Sequence, residues 1–289
     1  MKAFDYAAPA SLPEAVGLLA SQPAARLLAG GTDLLVQLRS GRNQADVVID
    51  VKKIPELNEI TLAADHSLTI GAAVPCYRLT DHPAVQAHYP ALAEVASWIG
   101  GTQIQGRASL GGNLCNSAPS ADSIPLLIAL SASAHLIGPA GRRSVPVEAF
   151  CTAPGRNQLA PGELLVAIHI PAPAPHSGAA YLRFIPRNEM DIAVVGAGAS
   201  LTLADGLIAA ARLALSSVAP TPLFVPAAGD SLVGKAPTPA ALEAAAQLAQ
   251  AAASPISDMR GSAAYRRHLC AVMARRALEL ARARAQESK

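Results

Sequence analysis

The sequence predicts an α+β chain in two parts, and three observations carry that expectation. An opening stretch mixes short apolar runs with helical patterns and holds two separate glycine turns. A stiff proline-rich connector, PAPAPHSG at 171–178, interrupts it. Beyond the connector, three strand-like runs precede two long Ala/Leu/Arg stretches with apolar residues at helical spacing. The expected division is a first part over 1–173, with subdomains about 1–55 and 56–173, and a second part over 178–289.

In order along the chain, SLPEAVGLLAS at 11–21 has Ser before Pro and Glu14 at the third helical position, which predicts a capped helix. ARLLAGG reads as a short buried strand broken by Gly30–Gly31. TDLLVQLRSG then reads as a helix capped by Thr32 and stopped by Gly41, and VVIDV at 47–51 as a second strand. This makes an opening β–α–β unit with a glycine turn at the helix entry. SLTIGAAVP at 67–75 leads to a helical PALAEVASWIG and to GGTQIQGRASLGGNLCNSAPSAD at 100–122. IPLLIALSA is expected as a helix starting just after Asp122, and HLIG and ELLVAIHIP as strands. In the second part AAYLRFIPR, DIAVVGAGASLTLADG and LIAAARLALSSV read as three strands of an antiparallel meander, with a hairpin turn at Asp205–Gly206. Helices over TPAALEAAAQLAQAAA and SAAYRRHLCAVMARRALELARARA should cover that sheet.

With 289 residues, 51% apolar and 15% charged, the chain has a large buriable surface and is expected to fold. Its 23 basic and 21 acidic residues give a net charge of +2, so no general field attracts nucleic acid or an anionic membrane. The apolar runs fall short of the ~18–20 residues a span needs, and the N-terminus carries no leader-like apolar core, so a cytoplasmic protein is expected. Cys76, Cys115, Cys151 and Cys270 form no CxxC pair, which excludes a spacing-based zinc or iron–sulfur site and predicts reduced thiols. Cys115 is expected as a packing residue, His66, His82 and His88 as surface residues, and Arg275, Arg276, Arg282 and Arg284 as a solvated face.

Two familiar signatures fail on inspection. GDSLVGKA at 229–236 lacks the Ser or Thr of a P-loop, because Ala236 stands there. VVGAGASL at 194–201 has Leu201 where a dinucleotide fingerprint needs its third glycine. The two glycine turns are more informative. AGGTDLL exposes several backbone N–H groups together, suited to a diphosphate, although an ordinary capped turn has the same look. ASLGGNLCNSAPSAD adds Ser109, Asn113, Asn116, Ser120 and Asp122 to Gly111–Gly112 with no basic side chain. That set suits the hydroxyls of a sugar or ribityl chain, and a purely structural glycine loop is the alternative.

Taken together, AGGTDLL, GGTQIQGRASLGGNLCNSAPSAD and FIPRNEMDIAVVGAG resemble the FAD-binding medium subunit of the molybdenum hydroxylases, the family of carbon monoxide dehydrogenase and xanthine dehydrogenase. The resemblance covers nearly the whole chain. It implies a two-subdomain FAD-binding domain of the vanillyl-alcohol-oxidase type, followed by a C-terminal antiparallel sheet with helices. It further implies that Leu28, Ala29, Gly30, Gly31, Thr32, Asp33 and Leu34 wrap the FAD diphosphate, with the amides of Gly30 to Asp33 as donors. Ala108, Ser109, Gly112 and Asn113 would contact the diphosphate and nearby ribityl atoms. Asn116 and Asp122 would serve further hydroxyls or the adenosine part, Ile99 and Ile104 would form apolar walls, and Arg183 would neighbour the flavin. The implied partners are a small subunit with two [2Fe–2S] clusters and a molybdopterin large subunit, in a dimer of heterotrimers, with no nucleic acid and no membrane span. No inserted cysteine group is present for an iron–sulfur cluster of the chain's own. The rival expectation is a self-contained FAD-dependent oxidase or dehydrogenase, but the second part offers no cluster of His, Tyr or Glu to act on a substrate.

Overall fold

The structure is a computed structural model describing residues 2–288. The first lobe is a three-stranded parallel sheet of β1 (Asp5–Ala7), β2 (Arg26–Leu28) and β3 (Val47–Asp50) in the order β1-β3-β2, with α1 (Leu12–Ser21) and α2 (Leu34–Ser40) between them. Strand β1 adds to the expected β–α–β unit. It is three residues long and half exposed, so no alternating pattern marks it. Ser11 caps α1 by accepting from the Glu14 N–H, as its sequence predicts. The cap of α2 differs from expectation: Asp33, not Thr32, occupies that position, and its side chain makes no capping bond. Gly41 ends α2 at φ +75°, a left-handed turn.

The second lobe holds a five-stranded antiparallel sheet in the order β4-β5-β10-β6-β7, built from β4 (Ile60–Leu62), β5 (Leu68–Gly71), β6 (Ser133–Gly138), β7 (Gly141–Pro146) and β10 (Leu164–Ile170). Between β5 and β6 run six helices: α3 (Cys76–Thr80), α4 (Pro83–His88), α5 (Pro90–Ser97), α6 (Thr102–Gln105), α7 (Leu110–Asn116) and α8 (Ser123–Ala129). Helix α9 (Val147–Phe150) leads to the small hairpin of β8 (Cys151–Ala153) and β9 (Arg156–Asn157). All seven residues of α8 are buried, which makes it the central rod of the molecule. Its leucines and isoleucines join Leu92, Val95, Leu114 and Phe150 in the largest core.

After the connector, β11 (Ser177–Phe184), β12 (Val195–Ala204), β13 (Leu207–Ser216) and the short β14 (Leu223–Phe224) form a meander in sequential order. Helices α10 (Pro226–Asp230), α11 (Pro239–Ala252) and α12 (Ala263–Glu287) follow; α12 buries its alanines against β11 and β12, whereas α11, expected to cover the sheet as well, packs its alanines on α12 and α10 instead. The GxG glycines of β12 are explained here. A β-carbon on Gly198 would stand 2.5 Å from the Pro125 backbone, so glycine lets the strand lie directly on α8. The carbonyls at the end of α8 are taken by the same sheet, through Ser200 Oγ to Ala129 O at 2.7 Å and Arg212 Nε to Ile128 O at 2.9 Å. Gly229 of the P-loop look-alike packs likewise against the Ala211 carbonyl.

The arginines of α12 depart from a solvated face. Arg275 pairs with Glu243 and Glu279, Arg282 donates to Pro237 O, and Arg284 donates to Ala179 O and pairs with Glu94. Only Arg276 of the four is exposed, because the others reach back over the helices and sheet beside them. No helix of the described residues is long and apolar enough to cross a membrane.

Candidate functional site

A cleft of about 860 Å³ runs between the first lobe and the helices of the second. That size lies toward the upper end of the ~300–1,000 Å³ typical of ligand pockets. Its floor is where the two glycine turns meet. The first turn leaves β2 at Ala29 and enters α2 at Leu34. Gly31 takes φ +81°, a conformation that favours glycine, and the N–H groups of Gly30, Gly31, Thr32 and Asp33 find no protein acceptor among the described residues. Four orphan donors in a row on a cleft wall make an anion cradle. Lys52 steadies the turn: its Nζ donates to Ala29 O at 3.0 Å and to Asp50 Oδ1 at 2.6 Å, and Asp50 also accepts from Tyr6. Burial opposes ionisation of Asp50, but the bonds from Lys52 and Tyr6 outweigh it and hold the carboxyl below its ordinary range.

The second turn begins at Ala108, whose carbonyl accepts from Cys76 N–H at 2.8 Å. Ser109 caps α7 by accepting from the Gly112 N–H at 3.0 Å. Gly111 needs its missing side chain, because a β-carbon there would stand 2.4 Å from the Ala72 carbonyl oxygen. Asn113 faces the cleft, and its Oδ1 accepts from the buried Ser123 Oγ at 2.6 Å, which leaves its Nδ2 donors free of any partner among the described residues.

Of the residues singled out in the sequence, Ala29, Gly30, Gly31, Thr32, Asp33, Leu34, Ile99, Ala108, Ser109, Gly112, Asn113 and Asn116 line this cleft. Four do not. Leu28 is buried in the small core beneath the turn. Ile104 packs under Gly100, at 2.6 Å from where a β-carbon would lie. Asp122 and Arg183 turn toward each other instead, in a salt bridge at 2.5 Å that joins the start of α8 to β11. Tyr181 Oη also donates to Asp122, at 2.7 Å, and the Arg183 guanidinium lies 5.8 Å from the centre of the Trp98 ring. Gly196 makes room for this cluster, since a β-carbon there would meet the Tyr181 and Ser216 hydroxyls. Burial pushes the Asp122 carboxyl above its ordinary value, and Arg183 and Tyr181 pull it only part of the way back.

Other residues line the cleft outside the two motifs: Gln37, Arg42 and Asn43 around the end of α2, and Asn157 of the β8–β9 hairpin. Helical spacing carries a signal for Gln37, because it stands one turn beyond Asp33, its N–H bonding to Asp33 O, and so shares the cleft-facing side. No local pattern marks Asn157, which the fold brings in from 42 residues beyond Cys115. Its Nδ2 donates to Cys115 O at 2.8 Å. Cys115 itself is a packing residue of the wall, and burial pushes its thiol up to about 12. No group of three His, Cys, Asp or Glu among the described residues could hold a metal ion.

Comparison with known proteins agrees with this geometry. The family model of the FAD binding domain in molybdopterin dehydrogenase matches residues 2–173, and that of the CO dehydrogenase flavoprotein C-terminal domain matches residues 180–281. The chain belongs to this family of FAD-binding dehydrogenase subunits. The FAD subunit is 38% identical over 279 residues to the xanthine dehydrogenase FAD-binding subunit of Escherichia coli O157:H7, covering 95% of this chain and 96% of that protein. It is 37% identical over 282 residues to the carbon monoxide dehydrogenase medium chain of Hydrogenophaga pseudoflava, covering 97% and 98%. Among solved structures, carbon monoxide dehydrogenase of that organism superposes with a TM-score of 0.94 at 38% identity over 98% of each chain. Quinoline 2-oxidoreductase of Pseudomonas putida 86 gives 0.90 at 34% identity over 99% of each. The FAD subunit is thus an oxidoreductase component with FAD as its cofactor, and its cleft fits that group: orphan amides for a diphosphate, amide donors beside them, and Ile99 as an apolar wall.

Proposed function

We propose that this FAD subunit is an electron carrier: it takes electrons from the [2Fe–2S] clusters of a small partner subunit and delivers them to an external acceptor, while a molybdopterin large subunit oxidises the substrate. The observation that carries this reading is a cleft rich in donors and poor in acid–base groups. Bound FAD supplies the redox chemistry, by taking up and giving up electrons. The chain's part is to bind and orient. In this reading the Gly30 to Asp33 amides hold the diphosphate, Asn113 and Gly112 hold its neighbourhood, Asn116 serves further oxygens, and Ile99 excludes water. Asp122 and Arg183 join the part over 178–289 to the FAD-binding part over 1–173 rather than holding FAD directly. A cytoplasmic dimer of heterotrimers belongs to the same reading. Co-purification of the tagged subunit at native abundance, with flavin, iron and molybdenum measured on the complex, tests it. A lone chain that oxidises an organic substrate without iron or molybdenum would favour the self-contained flavoenzyme.

A further inference from the structure

Three side-chain amides run in series along the cleft. Asn43 Nδ2 donates to Gln37 Oε1 at 2.6 Å, and Gln37 Nε2 donates to Asn116 Oδ1 at 3.0 Å. The left-handed Gly41 turns the chain back after α2, so that Asn43 N–H bonds to Gln37 O at 3.3 Å and its side chain lies beside that of Gln37. Asn116, 79 residues from Gln37, closes the series from the last position of α7, on the other lobe. A primary amide accepts at one end and donates at the other, so a chain of them has a direction, and fixing one member fixes the rest. Here the chain ends with the Asn116 N–H groups unpartnered among the described residues, on the wall of the cleft.

We propose that Asn43 and Gln37 are positioning residues, which orient Asn116 so that it presents N–H donors to an acceptor oxygen of the bound dinucleotide and which tie the two lobes together across the cleft. Ser123 does the same for Asn113 by occupying its Oδ1. The wall of α7 thereby continues the donor surface begun by the amides of Gly30 to Asp33, matching a ligand whose middle section is rich in acceptor oxygens. The inference rests on the reading of the cleft as the FAD site.

The test reverses the chain without cutting it. An ionised Asp at position 43 cannot donate, so in Asn43→Asp Gln37 must turn its Nε2 to the new carboxylate and its Oε1 toward Asn116, which then points its own Oδ1 into the cleft. Gln37→Glu forces the same turn from the middle of the chain. FAD affinity, measured by flavin fluorescence on the full-length apo chain, should fall by about tenfold or more in each variant, since a donor is replaced by a repelling acceptor. Asn43→Ala, which removes a donor but forces no reversal, should lose less than about threefold. In an Asn116→Ala background there is no amide to turn, so both acidic substitutions should change affinity less than about twofold. Equal losses in the wild-type and Asn116→Ala backgrounds would show a through-space charge effect and overturn the relay alone. Wild-type-like affinity in both acidic variants would also overturn it. A wild-type chain that binds no FAD would overturn the cofactor reading, and the relay with it.

Discussion

Gly30 and Arg107 touch through their main chains: a β-carbon on Gly30 would stand 1.8 Å from the Arg107 carbonyl oxygen, while Arg107 Nε donates to the Gly30 carbonyl at 3.3 Å. The first glycine turn is therefore seated against the residue that leads into the second, and the donors of both turns depend on that contact.

Gly30→Ala should disturb the cradle more than the fold. The clash is with backbone on both sides, so residues 107–108 must shift, at a cost of about 1–3 kcal/mol. The expected outcome is a loss of roughly five- to 150-fold in FAD affinity if the cleft bears that strain. Far-UV circular dichroism should stay near wild type. Flavin absorbance after gel filtration, with and without added FAD, is the measurement.

Asp122→Ala should act on stability. It leaves the Arg183 guanidinium, whose side chain is 10% exposed, without its carboxylate. Breaking a buried pair from one side costs about 3–5 kcal/mol. The double variant Asp122→Ala/Arg183→Met should regain much of that loss. Urea midpoints of the three proteins decide the matter, and a double variant no more stable than Asp122→Ala would show that the unpaired guanidinium carries no penalty.

A pH dependence follows from Asp50, whose folded-state pKa lies below its ordinary value. The native state binds fewer protons there than the unfolded chain. The stabilising contribution is complete above about 3.9 and is lost as pH falls through the depressed folded value. Asp50→Asn should lower stability at pH 7 by about 1–2 kcal/mol, and the gap from wild type should narrow below about pH 4. FAD affinity should fall with it, because Lys52 would hold Ala29 less firmly.

Cys115 should be unreactive in the native chain. A thiol pushed up to about 12 has a thiolate fraction roughly a thousandfold below that of an ordinary cysteine at neutral pH. Alkylation by iodoacetamide at pH 7.5, followed by mass spectrometry, should label Cys115 only after unfolding. Rapid labelling of the folded, flavin-loaded subunit would contradict this.

What could be learned without tertiary structure was the local chemistry. The Ser11 cap of α1, the stop at Gly41, the Asp205–Gly206 turn between β12 and β13 and the helical spacing of α11 and α12 are written within a few residues of one another. The two glycine turns were legible for the same reason, and so was the family that carries them. Partner choice was not. Asp122 reads as a polar residue of a loop, yet it is claimed by Tyr181 and Arg183, 59 and 61 residues away, because Gly196 leaves space for the tyrosine hydroxyl. Gln37 reads as one polar residue of an exposed helix, yet Asn43 and Asn116 give it a direction. Helices, strands and donor-rich turns could be read along the chain, since backbone propensity and capping act over short range. Which side chains stay free for a ligand could not, because a polar group's role is set by the distant partner that the packed lobes bring within hydrogen-bond reach.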